Sequence, residues 1–465
     1  MQRINIHAGR YAMKIIIAGC GIVGTALAER LAVNKHDVTI IDVNEHHINY
    51  IQNILDVLCI AGDATMPDVL EEADVKTADL FIAVTDSDDK NLLACLLAHR
   101  LGAVNTIARV RTTQHTRAAN LLKDEMGLSM VINPEMDAAR EIFNSLKYKN
   151  VGQVEHIAKG STEMITCTVK SGMPICNIQI KELNKVTGAH ILICGIKRAG
   201  QVFIPTAETL IQAGDTLSFA ATVKETLTFL KAIKYDTERI RNLVIIGGSK
   251  LATFLARMVL ATGVPVKIID GSQARCKELL NLVPEAEVIC GDGTDADLLE
   301  EEGVLESSVI VAATEDDSTN AMIALYMSRM APNSKIIIKI KKSDFEDMLY
   351  NLDIGSFYNP KYITVDNIER YVKAMQNSFV KDEVESMCRV IDNKVTILEF
   401  NIDSSMPHLD QPLMDIKFKK NLLIAIIYRN GRPFTPGGKD VIKEGDIVIV
   451  ATMDSDISRY REIFA

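Results

Sequence analysis

Three glycines and one aspartate carry the first chemistry legible in this chain. Gly19, Gly21 and Gly24 form a Gly-x-Gly-x-x-Gly array that follows the apolar run MKIIIA and opens the helical pattern TALAERLAV. A second apolar run, VTIID, ends in Asp42, eighteen residues past the third glycine. In a strand–turn–helix unit Gly19 permits the tight turn, Gly21 leaves the backbone bare for a pyrophosphate, and Gly24 lets helix and sheet approach closely. Phosphates held there meet the unpaired amides at the positive end of the helix. Asp42 is placed to accept hydrogen bonds from ribose hydroxyls, and its charge disfavours a 2′-phosphate and hence NADP. It does not separate NAD from ATP, since both carry a free adenosine 2′-hydroxyl. The bland alternative is a glycine turn that serves packing alone.

Further candidates follow the later strands. GDAT (Gly62–Thr65) and TDSDDKN (Thr85–Asn91) sit where open α/β sheets bind ligands, at the carboxyl edge. Thr65 with Asp68, and Thr294 with Asp297 further on, read as helix-starting caps. Asp63 and Asp292 fall at the adenine end of the expected cleft, and Thr85 and Asp86 face the nucleotide. Asp88 and Asp89 suit either the start of a helix or a divalent cation. Arg109 and Arg111 suit either a solvated strand end or a cation that meets a phosphate or a neighbouring subunit. None of the nine histidines recurs in a matched position, and no nucleophile motif or zinc-type spacing occurs. His46 and His47 read as an exposed helix start.

The chain then repeats itself. IIIAGCGIVGTAL aligns with LVIIGGSKLATFL, so that Gly19 falls on Gly247 and Asp42 on Asp270. AGDATMPDVLEEADV matches CGDGTDADLLEEEGV, Asn91 falls on Asn320, and RAGQVF matches RNGRPF. The second loop reads Gly247, Gly248, Ser249, Lys250, Leu251, Ala252. Ser249 puts a side chain where the backbone should be bare, Gly248 restores room beside it, and Lys250 offers a charge to a phosphate. Nucleotide binding by this second copy stays open on these residues.

Positioning these groups requires a doubly wound α/β unit. Ile15–Ala18, Val38–Ile41, Val57–Ala61, Leu80–Val84, Ile107–Val110 and Met130–Ile132 are short, nearly continuous apolar runs with helical stretches between them. Such runs predict strands covered on both faces, hence a parallel Rossmann-like sheet. The part that follows differs: HILICGIKRAGQVFIP and NLLIAIIYRNGRPFTP read as hairpins, with Asn430-Gly431 suited to a primed turn, then a GDTLSF or GDIVIV strand and a helix-like tail. The expected organisation is a Rossmann-like domain at 13–147, a small α+β domain at 148–236, a second Rossmann-like domain at 237–379 and a second small domain at 380–465.

Bulk properties narrow the class. The chain has 465 residues with a formal net charge of −10, which argues against a nucleic-acid partner. No apolar run approaches the roughly 18–20 residues that span a bilayer, no signal pattern opens the chain, and the first dozen residues read as an extension outside the fold. Nine cysteines without a Cys-x-x-Cys pair fit a reducing cytoplasm. A dehydrogenase would need a substrate domain, and the duplication leaves no sequence for one.

With these motifs in place the chain resembles the tandem regulator-of-potassium-conductance (RCK, or KTN) proteins, over about Met13 to Ala465. The resemblance implies a non-enzymatic, peripheral regulator of a membrane potassium transporter, with a partner of the TrkH or TrkG type. It implies ring assembly, often a tetramer, on the cytoplasmic face of the membrane, and NAD or NADH as ligand, with ATP or ADP at the same site. Carried over by position, the contacts are Gly19, Cys20, Gly21, Ile22, Val23, Gly24, Asp42, Thr85, Asp86 and Arg109. In the second copy they are Gly247, Gly248, Ser249, Lys250, Leu251 and Asp270, with departures from the family pattern at Ser249 and Ala252. The remaining alternatives are a regulator of another transporter or channel, and an NAD-dependent oxidoreductase.

Overall fold

The structure, a computed structural model, describes residues 6–7, 10–146, 154–157, 162–235, 240–341, 354–377, 384–391, 394–454, 457 and 459–465. The first sheet has six parallel strands in the order Leu58–Ala61, Asp37–Asp42, Lys14–Ala18, Leu80–Ala83, Asn105–Arg109, Leu128–Ile132. Ile15, Ile16 and Ile17 are fully buried, as are Phe81 and Ile82. Strands so covered on both faces are the physical reason for unbroken Ile/Val runs. The strand order reverses between Lys14–Ala18 and Leu80–Ala83, which opens a crevice at their carboxyl ends.

The second copy reproduces this order with Glu287–Cys290, Val266–Asp270, Leu243–Ile246, Val309–Ala312, Lys335–Lys339 and Ser356–Tyr358. Two five-stranded antiparallel sheets complete the fold. One runs Gln201–Phe203, Leu192–Arg198, Thr216–Ala221, Thr162–Thr168, Val154–Ile157; the other runs Arg432–Phe434, Leu422–Arg429, Ile447–Thr452, Val395–Asn401, Ser386–Val390. Both hairpins turn through two residues, Ala199-Gly200 and Asn430-Gly431, all four at positive φ, as a primed turn demands. The repeated Gly-Asp motif pins each hairpin. Asp215 grips Arg198 through two hydrogen bonds of 2.7 Å, and Asp446 grips Arg429 at 2.9 and 2.7 Å.

Like parts associate with like. One compact unit contains residues 1–143 and 241–369, and the other 144–240 and 370–465. In the first unit Arg30, on the helix Ile22–Val33, pairs with Glu369 at 3.3 Å and Asp366 at 3.4 Å on the helix Pro360–Asn377. In the second, the two antiparallel sheets share a core of Met164, Cys194 and Ala220 against Val395, Ile397 and Ile426. Thr162 and the Tyr428 hydroxyl hydrogen-bond across that core.

Two expectations are corrected. The helix-like tail is present in the first copy as Val223–Ala232, capped by Thr222, but the described tail of the second copy holds only a 3-10 turn, Tyr460–Ile463. There the chain bridges to an extended segment instead: Lys419 donates to Ile463, and Phe418 pairs with Phe464. The other concerns Thr65 and Thr294, which are not helix caps. Each donates through amide and hydroxyl to the aspartate two residues before it, Asp63 at 2.9 and 2.8 Å and Asp292 at 2.9 and 2.7 Å. Of the amino-terminal segment, Ile6–His7 and Arg10–Tyr11 pair as a two-stranded ribbon.

Candidate functional site

In the first cradle the glycines have distinct geometric reasons. Gly19 sits at φ +105°, and a Cβ there would lie 2.8 Å from the Thr85 nitrogen; a Cβ on Gly24 would lie 1.8 Å from the Gly19 oxygen. A Cβ on Gly21 would meet nothing within 4 Å, so this position faces open space. Gly21 is also the N-cap of the helix Ile22–Val33, with no side-chain cap hydrogen bond. First-turn amides that the helix itself cannot satisfy are therefore left to a ligand or water.

Asp42 closes the loop from the neighbouring strand. Its Oδ2 accepts from the Cys20 amide at 2.5 Å and its Oδ1 from Asn44 at 2.8 Å. Asp270 does the same with Gly248 at 2.7 Å and Ser272 at 2.8 Å. Each carboxylate retains acceptor capacity, because two oxygens offer about four lone-pair directions. Val23 is buried and Ile22 exposed, so one packs the helix while the other stands at its start.

Thr85 is held by a side chain that motif reading passed over. Asn91 Oδ1 accepts from the Thr85 amide at 2.8 Å and hydroxyl at 2.7 Å, while Asn91 Nδ2 donates to the carbonyls of Thr85 at 3.2 Å and Arg109 at 2.9 Å. Asn320 repeats all four bonds with Thr314 and Lys339. Both asparagines are fully buried. Their recurrence in the repeat was the available signal: a buried amide makes four bonds only when every partner is fixed.

Asp88 is structural. Burial works against its charge, yet the amides of Arg111 and Thr112, each at 3.0 Å, and the His115 ring hold its carboxyl below the usual range. Arg109 donates to the Thr85 carbonyl and Arg111 to that of Asp86, whose own side chain is exposed. Burial, with Arg111 nearby, pulls the Arg109 guanidinium down to about 10. Asp63 pairs with Lys90 at 3.0 Å; the Thr65 amide, with its hydroxyl and Lys90, holds that carboxyl low. No group of three or more His, Cys, Asp or Glu side chains able to hold a metal occurs among the described residues.

The second crevice is a cavity of about 930 Å³, lined among others by Gly247, Gly248, Ser249, Lys250, Asp270 and Thr314. This volume is at the upper end of the roughly 300–1,000 Å³ typical of small-molecule sites. Leu251 is fully buried and is not part of the lining. Ser249 caps its own helix by accepting from Ala252 at 3.4 Å. Arg275 crosses the loop, donating to the Gly248 carbonyl and, at 2.9 Å, to Thr253 Oγ1. Opposite Asp292 stands Thr319, where the first copy has Lys90, and Glu315 bridges Lys339 at 3.0 Å and Lys341 at 2.5 Å.

This geometry coincides with known families. The TrkA-N domain matches residues 15–134 and 243–360, and the TrkA-C domain residues 164–234 and 397–465. The Trk system potassium uptake protein TrkA of Azorhizobium caulinodans is 26% identical over 461 residues, 97% of this chain and 98% of that protein. A Trk system potassium uptake protein TrkA homolog of Archaeoglobus fulgidus is 28% identical over 452 residues, 97% and 100% of the two. The GsuK channel bound to NAD shares the fold, with a TM-score of 0.62 at 19% identity, over 97% of this chain and 78% of that one. No helix among the described residues is long and apolar enough to cross a membrane. With the TrkA-N domains alone accounting for more than half of its residues, this chain belongs to the TrkA-N/TrkA-C family and carries both domains twice.

Proposed function

We propose that the chain is a cytosolic regulatory subunit that gates a membrane potassium uptake transporter of the Trk type in response to NAD(H), with ATP or ADP as competing ligands. It acts as a homo-oligomer, a tetramer, seated on the inner face of the membrane through a TrkH- or TrkG-like partner. Its nucleotide-binding part is the Rossmann-like domain 13–147, with 237–379 as its second copy, and 148–236 and 380–465 are the small RCK carboxyl domains that follow each. The contacts are Gly19 to Gly24, Asp42, Asp63, Thr85, Asp86 and Arg109, then Gly247 to Leu251 and Asp270.

The carrying observation is a cradle built twice, with a carboxylate holding the loop at the ribose position of each. The bare Gly21 position and its uncapped helix fit a pyrophosphate, and the named relatives and the NAD-bound channel favour the same reading. A ligand moves an equilibrium only by its differential affinity for two arrangements. A coupling of about 1–3 kcal/mol changes transport roughly 5–150-fold.

Calorimetric titration of the full chain with NADH, NAD, ATP and ADP tests the reading. Asp42→Asn keeps the size of the side chain, removes its charge and is expected to weaken NADH at the first cradle about tenfold, a loss of about 1.4 kcal/mol, and to blunt nucleotide-dependent potassium uptake. An unchanged affinity rejects the assignment. Steady oxidation of NADH with a small metabolite would instead favour the oxidoreductase.

A further inference from the structure

Two sulfurs flank one residue of the second cleft. Cys290 ends the strand Glu287–Cys290, is exposed, and lines the cavity. Its partner in the parallel register is Asp270. Cys276, on the helix Gln273–Leu282, is 6% exposed; its thiol donates to the Asp270 carbonyl at 3.2 Å and reaches the Ile289 carbonyl at 3.8 Å. Because Asp270 pairs with Cys290 in register and Ile289 directly precedes it, these two carbonyl contacts place the Cys276 sulfur beside Cys290. Burial, with the Cys290 sulfur beside it, pushes the Cys276 thiol up to about 11, so it stays protonated at neutral pH. In the first copy the same places hold Ile48 and Ala61. The pair is a property of the second cradle.

We propose that Cys276 and Cys290 form a reversible disulfide when the protein meets a hydroperoxide. Cys290 is the sulfur that the oxidant reaches. Its thiolate attacks the peroxide; an S–O bond forms, the O–O bond breaks, and the departing alkoxide or hydroxide takes a proton from water. The Cys276 sulfur then attacks the sulfenic sulfur, its proton leaves with the displaced hydroxide as water, and the S–S bond forms. Two thiols are oxidised and one hydroperoxide is reduced to an alcohol, or to water where the oxidant is hydrogen peroxide. The fixed proximity of the two sulfurs compensates for the weak acidity of the resolving thiol.

The bond replaces the Cys276–Asp270 hydrogen bond and ties the strand end to the helix that carries Arg275, the residue lying across the glycine loop. A nucleotide in this cleft is therefore expected to bind about fivefold more weakly after oxidation; this consequence rests on the function proposed above, whereas the bond itself does not.

The test treats the full chain with hydrogen peroxide, alkylates the remaining thiols and maps peptides by mass spectrometry. A Cys276–Cys290 crosslinked peptide that dithiothreitol reverses, and that Cys290→Ser and Cys276→Ala each abolish, is the expected result. Cys290→Ser lies at an exposed position and serves as the folded control. Oxidation of Cys290 that stops at sulfinic acid, or crosslinks that link other cysteines instead, overturns the proposal. NADH titration of oxidised and reduced protein separates the two readings. Crosslinking without NADH binding in either state upholds the disulfide and defeats the nucleotide function, while equal binding in both states defeats the coupling.

Discussion

The two cradles share one backbone and differ in what stands around it. In the first, the loop is bare at Gly21 and the helix is uncapped, while Lys90 and Asp63 form a salt bridge at positions that line the cleft in the second copy. In the second, Ser249 and Arg275 occupy the loop, but Thr319 leaves the far side without that bridge, and a cavity of about 930 Å³ remains. A loop that departs from the ideal spacing is thus compatible with an open cleft.

The largest expected difference between the copies is at the third glycine. Gly24→Ala drives a Cβ into the Gly19 oxygen and is expected to cost more than about 4 kcal/mol, with loss of NADH binding at the first cradle. Ala252 already carries a buried Cβ at the matching place, so Ala252→Gly is expected to cost about 1–2 kcal/mol through helix propensity and the lost methyl contacts. Urea unfolding of both variants measures the contrast, and equal losses would break it.

Next comes the strand entering the cation-bearing edge. Lys335 is 7% exposed, and burial pushes its ammonium down to about 8 from 10.5, whereas Asn105 at the same place is uncharged. The unfolded chain keeps this proton to higher pH than the folded one, so stability rises as pH climbs from about 8 to 10.5. Below pH 8 the full cost of about 3 kcal/mol is present. Lys335→Met is expected to recover up to that amount at pH 7 and to flatten the profile, read from unfolding curves at several pH values.

Exchanging the second loop residue tests pyrophosphate access directly. Gly21→Ser has room for the side chain but caps the helix, and is expected to weaken NADH at the first cradle about tenfold. Ser249→Gly is expected to strengthen the second by a similar factor. Calorimetry on the pair decides whether the loop or its surroundings sets affinity.

The smallest effect belongs to the hairpins. Ala199 sits at φ 48°, where its counterpart is Asn430 at 53°. Ala199→Asn is expected to stabilise by about 0.5–1 kcal/mol, since asparagine tolerates the left-handed region that costs other L-residues roughly 1–2 kcal/mol. Thermal unfolding gives the measurement, and a loss would show that the two turns are not equivalent.

Much of this was legible because it is local or repeated. Glycine spacing, apolar runs and turn residues are one-dimensional consequences of backbone geometry, and the duplication gave each a second witness. Capping was misjudged at Thr65 and Thr294 because Asp63 and Asp292 hold those threonines first. The second tail was misjudged because its pairing partner, Phe418, lies far back in sequence.

The sequence by itself determined the parallel sheets, the glycine loops with their terminal aspartates, and the twofold plan, since each rests on residue type and short-range spacing. Only the tertiary structure decided that like parts join into common units, that Asn91 and Asn320 clamp the strand ends, and that Cys276 meets Cys290 beside Asp270. Those outcomes depend on contacts between residues distant along the chain, whose geometry exists only once the sheets have formed.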